Sequence, residues 1–362
     1  MTAQLKPYNQ KNLPSLKVHL LERRISCMTV ASIVEAIHTA CVADAKITVA
    51  NYNVHSFNLS MQLPWFYNFL QTAEIAHCDG FGIIKAVQWM GKDLPQDYRV
   101  SYSVLMPYLL EHCNQQGFSI FLLGAKPDTL DDALENMRCL YPNIKFDGHH
   151  GYFDKDSTQE NLAVIKKINQ IKPNIIIVGM GMPIQENWLR RYRDLLDVNV
   201  MLPGGAIIDR LAGIVSDCPK FISNLGLEWL YRLLREPKRL AARYLLGNPA
   251  FLLHIALGKF YASPVRVEQM PPMTPATLKT KDTLHLAIPN ELLRRDKPHK
   301  RLGDYLIEAG LVNKVHIDFA LSEQKATGLH LGEILISKGW IRRETIEFFL
   351  NQVVVPASSR SY

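Results

Sequence analysis

Short runs of apolar and β-branched residues alternate with amphipathic segments through the N-terminal part of the chain, and this alternation limits the fold more than any other feature of the sequence. Three of the runs are continuously apolar rather than alternating, a pattern typical of parallel strands that are covered on both faces. The runs are residues 46–50, 118–123, 174–178 and 198–202, and the amphipathic segments include 128–140 and 159–171. The sequence therefore predicts an α/β fold in which a parallel sheet carries helices on both faces.

A proline-rich stretch marks the main domain boundary. Residues 262–298 contain six of the 20 prolines and no sustained apolar period, a composition typical of an extended and partly stiff linker. We therefore predict four parts: an α/β core over 1–218, a basic amphipathic appendage over 219–261, the linker over 262–298 and a small helical module over 299–362.

The composition argues against several classes of protein. The six cysteines form no CxxC pair, which disfavours a zinc ribbon, a thioredoxin-like motif and a disulfide-stapled secreted module, and fits a reducing cytosol. The longest apolar stretch, residues 250–257, is far shorter than the roughly 20 residues that cross a bilayer. The N-terminal residues lack the apolar segment of a signal peptide. Any membrane contact is therefore expected to be peripheral.

The C-terminal module contains an internal repeat. The Leu-Gly pair at 302–303 recurs at 331–332, and eight positions in all match at the same offset of 29 residues. So many matches at a single offset predict two tandem helical units of similar structure.

Two short segments of the sequence carry polar residues that could bind a ligand. One follows the predicted strand at 46–50, and the other precedes a glycine further along the chain. In an open α/β sheet, ligands bind outside the carboxyl ends of the strands. Asn51 and Asn53 are placed either to bond a sugar or base there or to cap the next helix. Asp79, followed by Gly80, is either a ligand-binding carboxylate or an ordinary turn residue. Both interpretations stay open for each residue.

Glycines follow the other predicted strands. Gly124 lies between a strand and a helix, where free backbone N–H groups can bind phosphate, although many such junctions bind nothing. The loop that contains Gly181 and Gln185 matches neither a dinucleotide fingerprint nor a P-loop. Gly204 and Gly205 form a further turn after the last predicted strand. We expect these strand ends to build one composite pocket.

A basic and aromatic segment spans residues 220–244 and carries a net +4 of the chain's formal +7. Its six basic residues, interleaved with tryptophan, tyrosine and leucine, are Lys220, Arg232, Arg235, Lys238, Arg239 and Arg243. This composition is typical of an interfacial helix on a membrane, but a solvated helix packed on the sheet explains it equally well. Nucleic-acid binding is disfavoured because no reader motif accompanies the charge.

Taken together, these motifs resemble the WecG/TagA/CpsF family, glycosyltransferase family 26, over residues 21–251. The resemblance rests on residues 51–55, 79–82, 151–153, 179–186 and 204–206 with Asp209, and above all on 226–240. Members of this family transfer a sugar from a UDP-sugar to a polyprenyl-diphosphate-linked sugar at the inner membrane face. The resemblance implies a Rossmann-like fold, inversion at the anomeric carbon, no essential metal, and a basic C-terminal appendage on the membrane.

The resemblance also implies roles for individual residues. Asp79 falls on the family's proposed general base, Asn53 on its active-site asparagine, and Arg99 on the arginine of its ERVxGxD stretch. The implied substrate-binding residues are Asn51, Gly124, Gly181, Gln185, Gly204, Gly205 and Asp209, and the implied membrane or acceptor contacts are Arg232, Arg235, Lys238, Arg239 and Arg243. Asn51, Tyr102, Val104 and Ile208 depart from the family's usual Thr, Gly, Asp and Phe. These departures concern the identity of the sugar and acceptor more than the reaction class.

The C-terminal repeat resembles the MshEN-type domain of secretion and pilus ATPases, which binds cyclic di-GMP. The implied ligand contacts are Arg301, Leu302, Gly303, Gln324, Leu331 and Gly332. Arginine and glutamine suit a guanine, and Leu-Gly pairs let the backbone approach a ligand. The second copy differs from the first, since His330 stands in place of the arginine and Val353 in place of the glutamine. The module is expected either to sense cyclic di-GMP or to act only in docking.

Two functions follow as expectations. The first is an inverting glycosyltransferase that needs no metal or other cofactor, lies on the cytoplasmic face of the inner membrane, and makes an exported or cell-surface polysaccharide under regulation by cyclic di-GMP. Its sugar would be N-acetylmannosamine, glucose or a similar hexose. The second is a catalytically inactive cyclic di-GMP receptor that docks in a polysaccharide or secretion complex. Self-association into a homo-oligomer stays open, and nucleic acid is not expected as a partner.

Overall fold

The computed structural model describes residues 13–215, 218–219, 222, 226–261, 264–281, 302–308, 311–312, 314–327, 329–341 and 345–346. The chain divides into two compact units, residues 1–286 and 287–362. The first unit is built on a mostly parallel sheet, and the second is helical over the residues that the structure describes.

The strands of the first unit are β1 Leu16–Leu20, β2 Arg23–Cys27, β3 Ile47–Tyr52, β4 Ile75–Cys78, β5 Ile120–Gly124, β6 Phe146–His149, β7 Ile175–Gly179, β8 Val200–Pro203 and β9 Arg266–Gln269. They form a nine-stranded sheet in the order β6-β5-β7-β8-β3-β4-β2-β1-β9. Neighbours run parallel from β6 to β2, whereas β1 is antiparallel to both β2 and β9. The four predicted strands are present as β3, β5, β7 and β8, and the predicted α/β fold is confirmed.

The helices of the first unit are α1 Val30–Val42, α2 Val54–Gln62, α3 Pro64–Thr72, α4 Phe81–Trp89, α5 Tyr102–Gln116, α6 Pro127–Leu140, α7 Thr158–Ile171, α8 Ile184–Tyr192, α9 Ile207–Leu211, α10 Glu228–Arg235, α11 Pro237–Ala241 and α12 Gly247–Phe260. A π-helical turn, Ala242–Leu246, joins α11 to α12. The amphipathic segments predicted at 128–140 and 159–171 are α6 and α7.

Each face of the sheet has its own hydrophobic core, because successive strand residues point to opposite faces. On β3, Ala50 and Tyr52 belong to one core, whereas Ile47 and Val49 belong to the other. Helices α2, α3, α4, α7, α8 and α12 pack on the first core, and α1, α5, α6 and α9 pack on the second. Every residue of β3 is buried, so the loop at its carboxyl end starts from a rigid support.

The stretch 264–281, which the sequence assigns to the linker, belongs instead to the first unit. Its strand β9 pairs with β1 at the outer edge of the sheet. Lys281 then forms ion pairs with Asp44 and Asp197 at 3.3 and 3.2 Å. The composition predicted a linker because the pairing partners of this stretch are at least 84 residues away in sequence, and local composition carries no information about them. We call 264–281 the strap; residues 282–298 of the predicted linker lie outside the described residues.

The second unit includes helices α13 Leu302–Glu308, α14 Lys314–Thr327 and α15 Leu331–Ser337. Its two glycines have equivalent surroundings: a Cβ on Gly303 would lie 3.1 Å from Ile317, and one on Gly332 would lie 2.8 Å from Ile346. Since both members of each pair recur after 29 residues, the packing supports the predicted tandem repeat. A side chain on either glycine would therefore meet an isoleucine of the unit's own core.

Candidate active site

Asp79 lies directly after β4, where the carboxyl ends of the neighbouring parallel strands meet. Its backbone N–H donates to the carbonyl of Tyr52 at 2.7 Å, which ties the ends of β3 and β4 together. Gly80 follows with a φ of 121°, a conformation that glycine adopts without a side-chain clash, and α4 begins at Phe81. This tight turn leaves Asp79 at the carboxyl ends of the central strands, with part of the residue exposed.

Two asparagines from the end of β3 hold the Asp79 carboxylate. Asn51 Nδ2 donates to Asp79 Oδ2 at 3.0 Å, and Asn53 Nδ2 approaches the same oxygen at 3.5 Å. Asn53 also caps α2, because its Oδ1 accepts from the backbone N–H groups of His55 and Ser56 at 2.9 and 3.0 Å. Of the two interpretations that the sequence left open for Asn53, the helix cap is observed, and the ligand contact stays a prediction. Its acceptor oxygen caps a helix, and its amide donor faces the site.

Burial raises the pKa of the Asp79 carboxyl to about 6. The nearby Glu228 carboxylate raises it further, whereas the hydrogen bond from Asn53 and the positive charges of Arg232 and Arg243 lower it. Near pH 7 Asp79 is therefore mostly ionised, yet it accepts a proton more readily than an exposed aspartate does. These are the properties that a general base needs.

A small polar cavity of about 180 Å³ lies beside Asp79 at the ends of the strands. Loops after β3, β4, β7 and β8 form its walls, together with the first residues of α5. The lining residues that the sequence singled out are Asn51, Asn53, Asp79, Tyr102, Gly181, Gln185, Gly204, Gly205, Arg232 and Arg243. We call it the polar cavity. The loops after β3, β7 and β8 meet there as the sequence predicted, whereas Gly124, after β5, does not line it.

A larger cavity of about 870 Å³ opens on the other side of Asp79. Its walls are mainly apolar and come from α4 and the segment 226–255, with Phe81, Trp89, Trp229, Tyr244, Phe251 and Leu252 among them. We call it the apolar cavity. Five residues line both cavities and form what we call the junction: Asn53, Asp79, Glu228, Arg232 and Arg243.

The predicted appendage supplies three of the five junction residues. Helix α10 carries Glu228 and Arg232, whose four-residue spacing puts them on one face of the helix. Arg243 comes from the π-helical turn that follows α11. The appendage therefore places two positive charges and one negative charge beside Asp79.

Arg235 and Lys238, two other basic residues of the appendage, line neither cavity. Arg235 is exposed, and its guanidinium lies 5.4 Å from the centre of the Tyr231 ring. Lys238 is also exposed, and the side chain of Arg239 lies outside the described residues. Of the five arginines and lysines that the sequence grouped together, two thus face the site, two face outward, and one has a side chain outside the described residues.

The appendage also exposes an unusual number of large apolar side chains. These are Leu227, Trp229, Leu230, Leu234, Leu245, Leu246, Leu252, Leu253, Leu257, Phe260 and Tyr261. Exposed apolar residues interspersed with basic ones are typical of a surface that contacts a membrane or a partner. Over the part of the chain that the structure describes, no helix has the length and apolar character needed to span a bilayer.

Comparison with known proteins agrees with this geometry. Residues 18–263 match the Glycosyl transferase WecG/TagA/CpsF family. The chain belongs to this family. It is 31% identical over 247 residues to the N-acetylglucosaminyldiphosphoundecaprenol N-acetyl-beta-D-mannosaminyltransferases of Staphylococcus aureus strains MW2 and COL, and the alignment covers 67% of this chain and 93% of each relative. The strap and the second unit lie beyond the family match.

Three residues that the family resemblance singled out do not line the polar cavity of this glycosyltransferase. Arg99 lines the apolar cavity, with its guanidinium 4.7 Å from the centre of the Phe81 ring. Gly124 and Asp209 line neither cavity. A Cβ on Gly124 would lie 2.3 Å from the carbonyl oxygen of Gly179, so this glycine permits the close approach of β5 and β7.

Gln185 lines the polar cavity, but its carboxamide is engaged within the protein. Its Oε1 accepts from the backbone N–H groups of Gly181 and Gly205 at 3.1 and 2.9 Å. Its Nε2 donates to Glu186 Oε1 at 2.8 Å. Gln185 therefore lines the cavity where the resemblance placed a substrate contact, and its amide also links two loops.

Sequence reasoning missed Glu228 and Arg210, which line the cavities, and Glu186, which lines neither but bonds Gln185. Glu228 lies four residues before Arg232, and this helical spacing could have placed it on the same face. Arg210 lines the polar cavity from α9, and no local pattern marked it. Tyr102 was noted only as a departure from the family; its ring lines the polar cavity and its hydroxyl donates to the Val49 carbonyl at 3.2 Å.

The residues predicted to bind cyclic di-GMP are only partly described. Arg301 lies outside the described residues, and Gln324 is half-buried on α14. Leu331 approaches Gly303, and Leu302 approaches Gly332, each within 4 Å of the position of a Cβ on the glycine. The two Leu-Gly pairs therefore contact each other across the repeat.

Proposed function

We propose that this protein transfers a sugar from a UDP-sugar to a sugar carried on a polyprenyl diphosphate. The observation that carries the proposal is the meeting of a polar and an apolar cavity at Asp79. A reaction between a water-soluble donor and a lipid-linked acceptor requires two such sites side by side. The activity named for the staphylococcal relatives, N-acetylmannosaminyl transfer to a diphosphoundecaprenol-linked N-acetylglucosamine, supports the same assignment.

The size and polarity of the cavities support one arrangement of the substrates. The polar cavity, at about 180 Å³, suits the donor's hexose. The apolar cavity, at about 870 Å³, suits the acceptor sugar and the first isoprenoid units. The diphosphate groups of both substrates would then lie near the junction, where Arg232 and Arg243 supply positive charge.

The reaction proposed is a single displacement with inversion. The acceptor hydroxyl gives its proton to Asp79 as its oxygen forms a bond to the anomeric carbon of the donor. The bond from that carbon to the β-phosphate oxygen breaks, and UDP leaves with the electron pair. Asn51 and Asn53 hold the base in place, and the arginines of the junction stabilise the charge that develops on UDP.

The exposed surface of the appendage supports peripheral attachment to the inner face of the membrane. Basic side chains near an anionic lipid surface contribute about 1 kcal/mol each, and apolar side chains such as Leu253 and Phe260 add burial in the interface. We expect the protein to sediment with anionic vesicles at low salt and to be released at high salt, because salt screens the attraction. An equal distribution with neutral vesicles would argue against this attachment.

The deciding experiment is a transfer assay with the full chain. Lipid-linked N-acetylglucosamine serves as acceptor, UDP-N-acetylmannosamine and UDP-glucose are offered first, and the anomeric configuration of the product is read by NMR. Transfer with inversion supports the proposal. No transfer from any UDP-sugar would favour the alternative, in which the chain is an inactive receptor in a polysaccharide or secretion complex.

For the second unit we propose regulation of transfer by cyclic di-GMP. The equivalent packing of Gly303 on Ile317 and Gly332 on Ile346 supports a tandem structure of the kind that the resemblance implied. Calorimetry with the full chain tests this, and Arg301→Ala should weaken binding by one to two orders of magnitude, the loss of about 1.5–3 kcal/mol of charged hydrogen bonding. The absence of heat at high micromolar cyclic di-GMP would leave this unit a docking module.

A further inference from the structure

The two loops that form one wall of the polar cavity are joined by a single side chain. Gln185 Oε1 accepts from Gly181, in the loop after β7, and from Gly205, in the loop after β8. Gln185 is fully buried. Because an amide oxygen has two lone pairs, these two bonds use its whole accepting capacity.

This link restrains each loop at a glycine. Gly181 and Gly205 have φ values of 82° and 61°, and no atom lies within 4 Å of where a Cβ would stand on either of them. Glycines in open space have the greatest conformational freedom of any residue. The hydrogen bonds that the two glycine N–H groups donate to Gln185 restrict that freedom at the two points where the wall faces the cavity.

Glu186 accepts a hydrogen bond from the Gln185 side chain. Its Oε1 accepts from Gln185 Nε2 at 2.8 Å, only 1% of the residue is exposed, and its Oε2 is buried without a hydrogen-bond partner among the described residues. Burial of a carboxylate with one free oxygen costs much more free energy than burial of the neutral carboxylic acid at the same place. The mechanism proposed above uses neither Gln185 nor Glu186.

We propose that Gln185 and Glu186 are positioning residues, which fix the wall of the donor cavity without contacting the substrate. Gln185 sets the distance between the two loops, and Glu186 sets the orientation of the Gln185 carboxamide. The inference rests on the proposed transfer reaction and adds to it the way in which the donor site is held in shape.

Glu186 acts in this arrangement as a neutral acid. Burial raises the pKa of its carboxyl to about 8, while the Gln185 hydrogen bond and the positive charge of Arg243 oppose the shift. Tyr102 also lies near Glu186: burial raises the pKa of its hydroxyl, and the charges of Asp79 and Glu186 raise it further. An ionised Glu186 would attract Arg243, which lines both cavities, and would draw it from the junction. The proton on Glu186 therefore keeps Arg243 available for substrate.

The first test separates positioning from direct binding. In Gln185→Ala the loops lose their link, and we expect kcat to fall roughly 100-fold, the scale expected when reacting groups are misplaced by about 1 Å. The KM for the UDP-sugar should change less than about threefold. A rise in that KM with kcat unchanged would show that Gln185 binds the donor itself and would overturn the proposal.

Gln71 provides a matched control. Its Oε1 accepts from the backbone of Arg24 at 3.2 Å, its Nε2 donates to the Tyr52 hydroxyl at 2.9 Å, and it lines neither cavity. Gln71→Ala should therefore lower the unfolding temperature as Gln185→Ala does while keeping kcat. An equal loss of kcat in the two variants would reduce the Gln185 effect to general destabilisation and would count against positioning.

The second test uses the neutral acid. Glu186→Ala removes the partner of Gln185 Nε2, and we expect at least a tenfold loss of kcat at pH 7, whereas Glu186→Gln keeps an acceptor oxygen and should restore kcat to within about threefold. The wild-type enzyme should lose kcat as the pH rises past 8, the pKa of Glu186, and Glu186→Gln should not. An alkaline loss with the same midpoint in Glu186→Gln would refute the role.

A readout that needs no activity distinguishes failure of this inference from failure of the proposed function. The folded state keeps a proton on Glu186 that the unfolded state, with its ordinary pKa of 4.5, releases, so wild-type stability falls as the pH rises from 5 to 8. Glu186→Gln removes this term, and its unfolding temperature relative to wild type should rise by several degrees over that range. A constant difference from pH 5 to pH 8 would contradict the neutral acid even if no sugar is transferred.

Discussion

The polar and apolar cavities share Asp79 but are built in different ways. The polar cavity is formed mostly by loops at the ends of buried parallel strands, and internal hydrogen bonds such as those of Gln185 hold it. The apolar cavity is formed mostly by helices of the appendage and by α4, and some of its side chains are widely exposed, including Leu252 at 62%. A fixed polar wall suits bond making, and an open apolar wall suits a ligand that arrives from a lipid phase.

This difference separates the effects that substitutions should have. Changes at the polar cavity and the junction should act mainly on kcat, because the reacting atoms meet there. Changes in the apolar cavity should act mainly on acceptor binding. Changes remote from both should act on stability alone.

The largest effect is expected from Asp79→Asn, which removes the base shared by the two cavities. We expect kcat to fall by about 10³-fold, within the usual contribution of a general base. Binding of UDP, measured by calorimetry, should remain close to that of the wild type because the substitution is isosteric. Retained turnover in Asp79→Asn would disprove the assignment of the base.

The next largest effect should follow Arg232→Gln, which removes positive charge from the junction. Loss of one group that stabilises developing negative charge costs about 10²-fold in kcat. Arg235→Gln, on the same helix but exposed, serves as the matched control and should change kcat less than about twofold. Similar losses in both variants would mean that the charge of the helix, rather than its geometry, matters.

A smaller and different effect should follow Leu252→Ser in the apolar cavity. Burial of a leucine against the acceptor's isoprenoid chain is worth about 1.5–3 kcal/mol, so the KM for the lipid-linked acceptor should rise at least about tenfold. The KM for the UDP-sugar should not change. Leu140→Ser, an exposed leucine on α6 away from both cavities, controls for altered solubility. A change in the KM for the UDP-sugar would contradict the assignment of the donor and the acceptor to separate cavities.

A small shift in the acid limb of the pH profile of kcat/KM is expected, and only when a charge beside Asp79 is removed. Since the pKa of Asp79 is about 6, kcat/KM should fall as the pH drops below 6 and the base becomes protonated. Glu228→Gln removes a like charge, lowers the pKa of Asp79, and should move this limb to lower pH. Glu268→Gln, on the exposed strand β9, should leave the limb in place. A limb that moves to higher pH in Glu228→Gln would contradict the electrostatic assignment.

The smallest effect on catalysis is expected in the strap. The side chain of Lys281 is only 11% exposed and pairs with Asp44 and Asp197, so Lys281→Ala should cost about 1–2 kcal/mol of unfolding free energy with kcat unchanged. Lys172 pairs with the same Asp197 but is 68% exposed, and Lys172→Ala should cost about 0.5 kcal/mol or less. A loss of kcat in Lys281→Ala would link the strap to the site.

The sequence located the polar cavity better than the apolar one. Motifs after the strands named Asn51, Asn53, Asp79 and the glycine loops, because ligand sites in parallel sheets follow strand ends. No comparable rule locates the apolar cavity from the sequence. Trp89 and Phe251 lie far apart in sequence and line one cavity only when the appendage folds over α4. The strap was read as a linker for the same reason, because nothing local identifies β1 as its partner.

The sequence by itself determined the alternation of strands and helices, the tandem repeat and the positions after each strand, because all of these depend on short-range patterns of apolar residues and glycines. Only the tertiary structure decided which of several chemically equivalent residues take part. Arg232 reaches the junction while Arg235 faces solvent, Asn53 caps a helix while Asn51 does not, and Gln185 joins two loops. Each of these outcomes depends on hydrogen bonds and packing between distant segments, and a distant partner leaves no mark on the local sequence.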